Sequence, residues 1–195
     1  MKIHIKTYGC QMNERDSEAL AGMLTEAGHV MVDSEEAADV LLFNTCSVRE
    51  QAERKAKGKI GYMRKLKARK PELVIGALGC MAQRLGNELL NELPHLDFVL
   101  GTGQLHTLVP LIESIRADRR QVASITESAD VLTGMGSHYR PEGDGMNFKA
   151  QIAITRGCNR FCSYCIVPYV RGREISREPA DVVAEARELV AGGEK

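Results

Sequence analysis

The sequence predicts an α/β fold in which an open parallel sheet is flanked by helices on both of its faces. Through residues 1–125, short apolar runs alternate with longer segments that have helical spacing. The runs at 40–43 and 73–78 are apolar throughout, which is typical of parallel strands buried on both faces. Strands that alternate with helices need right-handed crossover connections, and these connections produce a parallel sheet.

The predicted elements follow one another without long gaps. Strands are predicted at 2–8, 29–32, 39–45, 73–78 and 98–100, with an edge strand at 121–125. Helices are predicted at 13–27, 49–70, 83–93 and 105–116. Gly28, Pro71 and Pro94 come directly after three of these helices, where such residues stop a helix. Residues 1–125 are therefore expected to form one α/β domain.

A change of composition after residue 125 predicts a second unit. Residues 126–147 are rich in glycine and poor in large apolar side chains, which is typical of a linker. Residues 149–155 alternate as a strand, and 179–191 have helical spacing with a proline in the first turn. One strand and one helix cannot bury a core alone. We therefore expect residues 148–195 to be the first βα unit of a repeating βα domain.

Charge and hydropathy exclude some classes of protein. The 26 basic and 26 acidic residues balance, so bulk charge does not hold this chain to nucleic acid or to a membrane. Residues 49–70 carry ten Lys or Arg and two Glu, a local charge of +8, which suits a phosphate partner or a solvated helix face. The apolar runs are far shorter than the roughly 20 residues that span a bilayer. With no secretory signal at the start, we expect a cytoplasmic protein.

Three single cysteines follow three different predicted strands. Cys10, Cys46 and Cys80 come after the strands at 2–8, 39–45 and 73–78. Because ligands bind at the carboxyl ends of strands in open parallel sheets, all three thiols are expected at one sheet edge. The alternative is that they are ordinary small buried residues. No histidine lies beside a cysteine in the pattern to complete the four ligands of a structural zinc site.

The other three cysteines, Cys158, Cys162 and Cys165, lie close together on one predicted loop. Three thiolates so close together can hold three corners of a cubane iron–sulfur cluster, whose fourth iron then lacks a protein ligand. An open iron can chelate the amine and carboxylate of S-adenosylmethionine and cleave its sulfonium by electron transfer. The alternative is a zinc knuckle that lacks one ligand, or a chance cluster of cysteines.

Four segments together resemble those of the radical-SAM methylthiotransferases. TRGCNRFCSYCIVPYVRGREISR at 155–177 is similar to the segment that binds S-adenosylmethionine (SAM) in that family. TYGCQMNERDSE at 7–18, NTCSVREQAERK at 44–55 and GCMAQR at 79–84 resemble the three cysteine motifs of its N-terminal domain. Within the family, these segments are most similar to the enzymes that act on isopentenylated adenosine in tRNA. The resemblance covers essentially the whole chain.

The resemblance implies two [4Fe-4S] clusters and SAM as cofactors. It implies that Cys10, Cys46 and Cys80 hold an auxiliary cluster that donates or carries the inserted sulfur. It implies that Cys158, Cys162 and Cys165 hold the cluster that cleaves SAM, with Tyr164 beside the adenine. The implied reaction replaces the C2–H of N6-isopentenyladenosine next to the anticodon by C2–SCH3. One SAM supplies the methyl group, and another yields the radical that abstracts hydrogen. The motifs assign no catalytic residue.

The implied partners are tRNA, a flavodoxin- or ferredoxin-type electron donor and a sulfur donor that the motifs leave unidentified, for a monomeric protein. Arg171, Arg173 and Arg177 follow the cysteine loop and are expected either to contact SAM or RNA or to pair with Glu174 and Glu178. The family also has further barrel units and an RNA-binding domain, so we expect this chain to be a fragment or a truncated product with little activity alone.

Two other functions remain as alternatives. The first is a non-catalytic α/β domain that binds an iron–sulfur cluster or zinc. The second is a methylthiotransferase with a different substrate, either a ribosomal protein or threonylcarbamoyl-adenosine in tRNA. Reductive cleavage of SAM distinguishes the first alternative from an enzyme.

Overall fold

A parallel sheet organises the N-terminal part of the chain, in a computed structural model that describes residues 1–126 and 150–192. The sheet has six strands within those ranges, in the order β2-β1-β3-β4-β5-β6, and all neighbouring pairs are parallel. The strands are β1 (Lys2–Thr7), β2 (Val30–Met31), β3 (Val40–Thr45), β4 (Val74–Gly79), β5 (Phe98–Leu100) and β6 (Val122–Ser124). This confirms the predicted fold class and places the last strand at an edge.

Helices cover both faces of this sheet. They are α1 (Gln11–Glu26), α2 (Glu50–Tyr62), α3 (Arg64–Arg69), α4 (Cys80–Leu85), α5 (Asn87–Glu92), a 3₁₀ helix (Thr102–Thr107) and α6 (Leu108–Asp118). Successive residues of β3 enter opposite cores: Leu41 and Phe43 pack with α2 to α5, whereas Leu42 packs with α1 and α6. Burial of each side chain of this size stabilises the fold by about 1.5–3 kcal/mol. This burial on both faces holds β3, and with it the end of the strand, in place.

Two predicted helices are each divided in the structure. The helix predicted at 49–70 is α2 followed by α3, with the buried Met63 between them. The helix predicted at 83–93 begins earlier, at Cys80, and is divided at Gly86. Gly86 has φ +50°, a left-handed conformation that an α-helix cannot continue through. The pattern of apolar residues did not reveal this break, because the pattern continues on both sides of Gly86.

The C-terminal part contains short elements. They are β7 (Thr155–Arg156), α7 (Val167–Arg171), β8 (Ile175–Ser176) and α8 (Pro179–Ala191). The helix predicted at 179–191 is confirmed. The strand predicted at 149–155 is wrong in extent, because only β7 pairs, antiparallel, with β8, and before β7 the pairing continues only through the Ile154 carbonyl, which accepts from the Arg177 amide at 2.9 Å. The predicted linker at 126–147 lies, except for Thr126, outside the described residues, so the domain boundaries stay a prediction.

The C-terminal part packs against the carboxyl-end edge of the sheet. Helix α7 contacts α4 and the 3₁₀ helix, and Val170 is buried there. The Thr102 hydroxyl donates a hydrogen bond to the Val170 carbonyl, and the Arg156 guanidinium donates one to the Thr102 carbonyl. Among the described helices, none combines the length and apolar character needed to cross a membrane.

Gly79, between β4 and α4, provides a test of how the strand end is built. It has φ +90°, and a Cβ there would lie 2.5 Å from the Thr45 carbonyl oxygen and against the Asn44 side chain. We therefore expect Gly79→Ala to destabilise the chain by roughly 2 kcal/mol or more, measured by urea denaturation. The control is Gly58→Ala, on open surface in α2, which should stabilise by up to about 1 kcal/mol. Equal effects of the two changes would contradict this account.

Candidate metal centre

The three single cysteines follow three adjacent strands of the sheet. β1, β3 and β4 are neighbours, and Thr45 pairs in register with Gly79, so that Cys46 and Cys80 directly follow paired residues. β2 lies on the other side of β1, so the order of the strands reverses between β1 and β3. Ligands of open α/β sheets bind at such a reversal, outside the carboxyl ends of the strands. The topology therefore places all three cysteines at the predicted edge.

Each of these cysteines lies at or near the start of a helix. Cys10 is the N-cap of α1, and its carbonyl accepts a hydrogen bond from the Asn13 amide at 2.9 Å. Cys46 is buried, and its sulfur accepts one from the Val48 amide at 3.3 Å. Cys80 is buried as the first residue of α4. The loops touch, because a Cβ built on Gly9 would lie 2.8 Å from the Cys46 Cβ.

Two buried amides connect these loops. Asn13, on α1, donates to the Asn44 side chain at 2.9 Å and to the Thr45 carbonyl at 3.0 Å. Asn44 in turn donates to the Asn13 carbonyl and to the Ser17 hydroxyl, both at 2.9 Å. The Thr45 hydroxyl donates to the Leu78 carbonyl at 2.6 Å, which ties β3 to β4. No local pattern in the sequence indicated this network, because Asn13 and Asn44 are 31 residues apart and meet only in the folded sheet.

A buried group of charges from the C-terminal part lies beside Cys80. Arg171, the last residue of α7, is 3% exposed, and its Nη1 lies 2.8 Å from Asp16 Oδ2. Arg156 Nη1 lies 4.0 Å from Asp16 Oδ1. Burial raises the pKa of the Cys80 thiol, and the adjacent Arg171 guanidinium opposes part of that increase. The sequence named Arg171 without its partner, and it named neither Arg156 nor Asp16 as a site residue.

The donor set fits an anionic cluster bound by thiolates better than a closed zinc site. Nη1 and Nη2 of Arg171 are both buried without an aligned hydrogen-bond acceptor among residues 1–126 and 150–192, and the guanidinium lies beside the Cys80 thiol as well as Asp16. A buried cationic donor of this kind needs an anionic partner. The rings of His4 and His95 instead hydrogen-bond the backbone carbonyls of Val32 and Ile60. Within the described ranges, no three His, Cys, Asp or Glu side chains are already grouped as metal ligands.

The second group of cysteines lies on the loop between β7 and α7. The loop is fixed at both ends, because the Cys158 amide donates to the Gly172 carbonyl at 3.1 Å and the Cys165 amide to the Cys162 carbonyl at 2.9 Å. Cys162 is exposed, and Cys158 and Cys165 are half-buried. Tyr164 is 90% exposed, so its position beside an adenine stays a prediction.

The arginines after this loop make different contacts from those expected. Arg171 pairs with Asp16, and Arg177 pairs with Glu185 on α8. The predicted pairing with Glu174 and Glu178 is therefore wrong for these two, because both arginine side chains turn inward to carboxylates on other elements. Arg173 is exposed. Arg15, on α1, also contacts Glu185, at 3.4 Å, which is a second buried ionic link between the two parts of the chain.

Several cations of the basic segment 49–70 have structural partners. Lys57 pairs with Glu92, Lys59 with Glu35 and Lys67 with Asp97, each at 2.7 Å. These contacts attach α2 and α3 to neighbouring elements, a role that neither the phosphate partner nor the solvated helix face of the sequence analysis included. Arg49 and Lys55 are exposed near the start of α2, on the side of the cysteines. A cavity of about 410 Å³ beside them is lined by Gln51, Arg54 and Lys55.

Comparison with known proteins defines the class to which this fold and site belong. The model of "Uncharacterized protein family UPF0004" matches residues 2–101, and that of the radical SAM superfamily matches residues 152–195. The chain belongs to the UPF0004 family, joined to a radical SAM segment. The match to UPF0004 contains all three single cysteines, and the match to radical SAM contains the clustered three.

Three similar proteins carry the same name. The protein from Dictyoglomus thermophilum is 45% identical over 98% of this chain and 43% of its own length. The protein from Akkermansia muciniphila is 45% identical over 100% of this chain and 45% of its own length. The protein from Bacillus mycoides is 42% identical over 100% of this chain and 38% of its own length. Each is named tRNA-2-methylthio-N(6)-dimethylallyladenosine synthase. The chain thus spans less than half the length of these relatives.

The amide network gives a direct test of how the loops are held. Asn13→Ala leaves the Asn44 side-chain oxygen and the Thr45 carbonyl without their donor. We expect it to lower the free energy of unfolding by about 2 kcal/mol, because buried acceptors lose their partner. Asn91→Ala, on exposed α5 surface, is the matched control and should change stability by less than about 0.5 kcal/mol. Urea denaturation of both variants measures the difference, and equal small effects would contradict the proposed role of the network.

Proposed function

We propose that this chain is the N-terminal portion of a tRNA methylthiotransferase. The enzyme would convert N6-isopentenyladenosine next to the anticodon to its 2-methylthio derivative. The observation that carries the proposal is the convergence of Cys10, Cys46 and Cys80 on one sheet edge, against which the segment with the second cysteine group packs. The relatives align with 98–100% of this chain, and their names support the same substrate.

The six thiols have distinct roles in this proposal. Cys10, Cys46 and Cys80 hold one [4Fe-4S] cluster, and Cys158, Cys162 and Cys165 hold another, beside which SAM binds with its adenine against Tyr164. When bound, these cofactors supply the reducing electron, the carbon radical and the inserted sulfur. Three thiolates in each site would leave one iron of a bound cluster without a protein ligand, which would allow SAM or the inserted sulfur to bind there.

The protein contributes placement and exclusion of water. Cys46 and Cys80 are buried under loops held by Asn13 and Asn44, which keeps solvent from the sheet-edge site. Helix α7 begins shortly after Cys165 and rests on α4, which begins at Cys80. This packing places the helix that follows the second thiol group against the helix that begins at Cys80. Such packing supports a reaction in which sulfur and a carbon radical must meet on one substrate.

Metal content after anaerobic reconstitution tests the assignment of the cysteines. We expect about eight irons per chain, because each [4Fe-4S] cluster carries about four. Changing Cys158, Cys162 and Cys165 together to Ala should reduce this to about four, and so should changing Cys10, Cys46 and Cys80. The two triple variants are controls for each other. Zinc without iron, or four irons in both the parent chain and the first variant, would contradict the assignment of two clusters.

Production of 5′-deoxyadenosine separates the enzyme from a non-catalytic cluster-binding domain. The full-length protein that contains this chain should cleave SAM under strong anaerobic reduction. A cluster-loaded full-length protein that makes no 5′-deoxyadenosine would favour the binding domain. Offering tRNA with isopentenyladenosine, tRNA with threonylcarbamoyl-adenosine and ribosomal protein in parallel would identify the substrate.

The tRNA partner is supported by exposed cations near the site. Arg49 and Lys55 lie at the start of α2, whereas Arg64 and Lys65 lie in the exposed part of α3, toward the opposite edge of the sheet. We expect the double change Arg49→Glu and Lys55→Glu in the full-length protein to weaken binding of an isopentenylated anticodon stem-loop on the order of tenfold. It should also reduce the salt dependence of binding, because fewer phosphates are neutralised.

The matched control is the double change Arg64→Glu and Lys65→Glu, which alters the net charge by the same amount. Fluorescence anisotropy at several salt concentrations compares the two variants. Equal losses would indicate a bulk effect of charge, and no loss in either would contradict a contact between the basic segment and RNA.

The remaining features of the proposal come from the resemblance of the cysteine segments. They are a flavodoxin- or ferredoxin-type electron donor, a separate sulfur donor and a monomeric protein that works in the cytoplasm. An enzyme that needs SAM, tRNA and low-potential electrons together is consistent with that compartment.

A further inference from the structure

A cation from the radical SAM segment is buried at the edge of the other domain. Arg171 ends α7, and its guanidinium extends to Asp16 on α1 and to Cys80 on α4. Its side chain is 3% exposed. Placing a charged side chain so deep is costly unless it is paired and hydrogen-bonded. Burial of the Arg171 guanidinium therefore requires anionic or hydrogen-bonding partners beside it.

Asp16 satisfies only part of this charge. Two guanidinium groups, those of Arg171 and Arg156, share the single Asp16 carboxylate, at 2.8 Å and 4.0 Å. The buried group therefore carries one excess positive charge among these three side chains. Neither Nη1 nor Nη2 of Arg171 has an aligned acceptor within the described ranges, and the Cys80 thiol is the other group beside the guanidinium. An anionic group at the cysteine site would accept this hydrogen bond and balance the charge.

We propose that Arg171 is a positioning residue that donates a charge-assisted hydrogen bond to the anionic sulfur of the group held at Cys80. Asp16 fixes the orientation of the guanidinium, and α7 carries it into the site. The radical SAM segment thereby completes the cysteine site of the UPF0004 domain. This inference rests on the proposed function, because it assigns Arg171 to the auxiliary cluster of that enzyme.

The proposal has a measurable electrostatic consequence. Hydrogen bonds to cluster sulfurs and nearby positive charge stabilise the more negative, reduced state of an iron–sulfur cluster. Removing Arg171 should therefore lower the reduction potential of the cluster at Cys10, Cys46 and Cys80. It should also make cluster loss to a chelator faster, because the Cys80 sulfur loses its hydrogen bond.

The test uses the chain with Cys158, Cys162 and Cys165 changed to Ala, so that one cluster gives the signal. Arg171→Met keeps the length and burial of the side chain and removes its charge. We expect its ratio of reduced to oxidised cluster at a fixed solution potential to fall about tenfold, the size of one charge-assisted hydrogen bond. The ratio is read by electron paramagnetic resonance during a redox titration. Arg171→Lys keeps the charge without the planar guanidinium, so its ratio of reduced to oxidised cluster should lie between those of the parent chain and Arg171→Met.

The matched control is Arg173→Met, two residues along the chain and exposed. It should leave the midpoint potential and the rate of cluster loss unchanged. Asp16→Asn keeps Arg171 but loosens its orientation, so it should also shift the midpoint, and it provides a second readout if Arg171→Met does not fold. A midpoint in Arg171→Met and Asp16→Asn equal to that of the control would overturn this inference alone. Failure of the parent chain to load any cluster at Cys10, Cys46 and Cys80 would overturn the proposed function with it.

Discussion

The reciprocal hydrogen bonding of Asn13 and Asn44 is the interaction on which the site depends. Parallel strands alone bring Cys10, Cys46 and Cys80 to one edge, but they do not fix the loops that carry them. Asn13 belongs to the helix that Cys10 caps, and Asn44 lies two residues before Cys46. The pair also requires Gly79, because a Cβ there would meet the Asn44 side chain. One amide pair thus controls the geometry around all three thiols.

The buried charges between the two parts of the chain have a different role from the amides. A buried ion pair adds little net stability, because the cost of desolvation offsets its Coulomb energy. Removing one partner is nevertheless costly, which makes such pairs selective for one arrangement. Asp16 with Arg171, and Arg15 with Glu185, therefore favour a single docking position of the C-terminal segment, within which Arg177 also holds Glu185. The ionic contacts set where α7 lies, and apolar contacts such as those of Val170 supply the binding energy.

The sequence predicted the features that depend on local pattern and on general rules of topology. The apolar runs that became β3 and β4 located the central strands, and the rule for carboxyl ends then placed three distant cysteines together. Prediction from the sequence failed where tertiary contacts decide which secondary structure forms. Residues 151–154 alternate like a strand but are not assigned to one in the described part of the chain, and Gly86 breaks a helix whose apolar pattern continues. The Asp16–Arg171 contact joins residues 155 positions apart, and no local pattern encodes it.

The same contact explains why both cysteine groups belong on one polypeptide. Arg171 lies six residues after Cys165, so the loop that holds the clustered cysteines and the cation that reaches Cys80 move as one unit. If that unit undocked, Arg171 would leave the sheet edge, and the group held there would lose a balancing charge. The charge balance at the sheet edge thus depends on the docking of α7. In the proposed methylthiotransferase, this docking would hold the segment with the clustered cysteines close to the sheet-edge cysteines, where the carbon radical and the inserted sulfur have to meet.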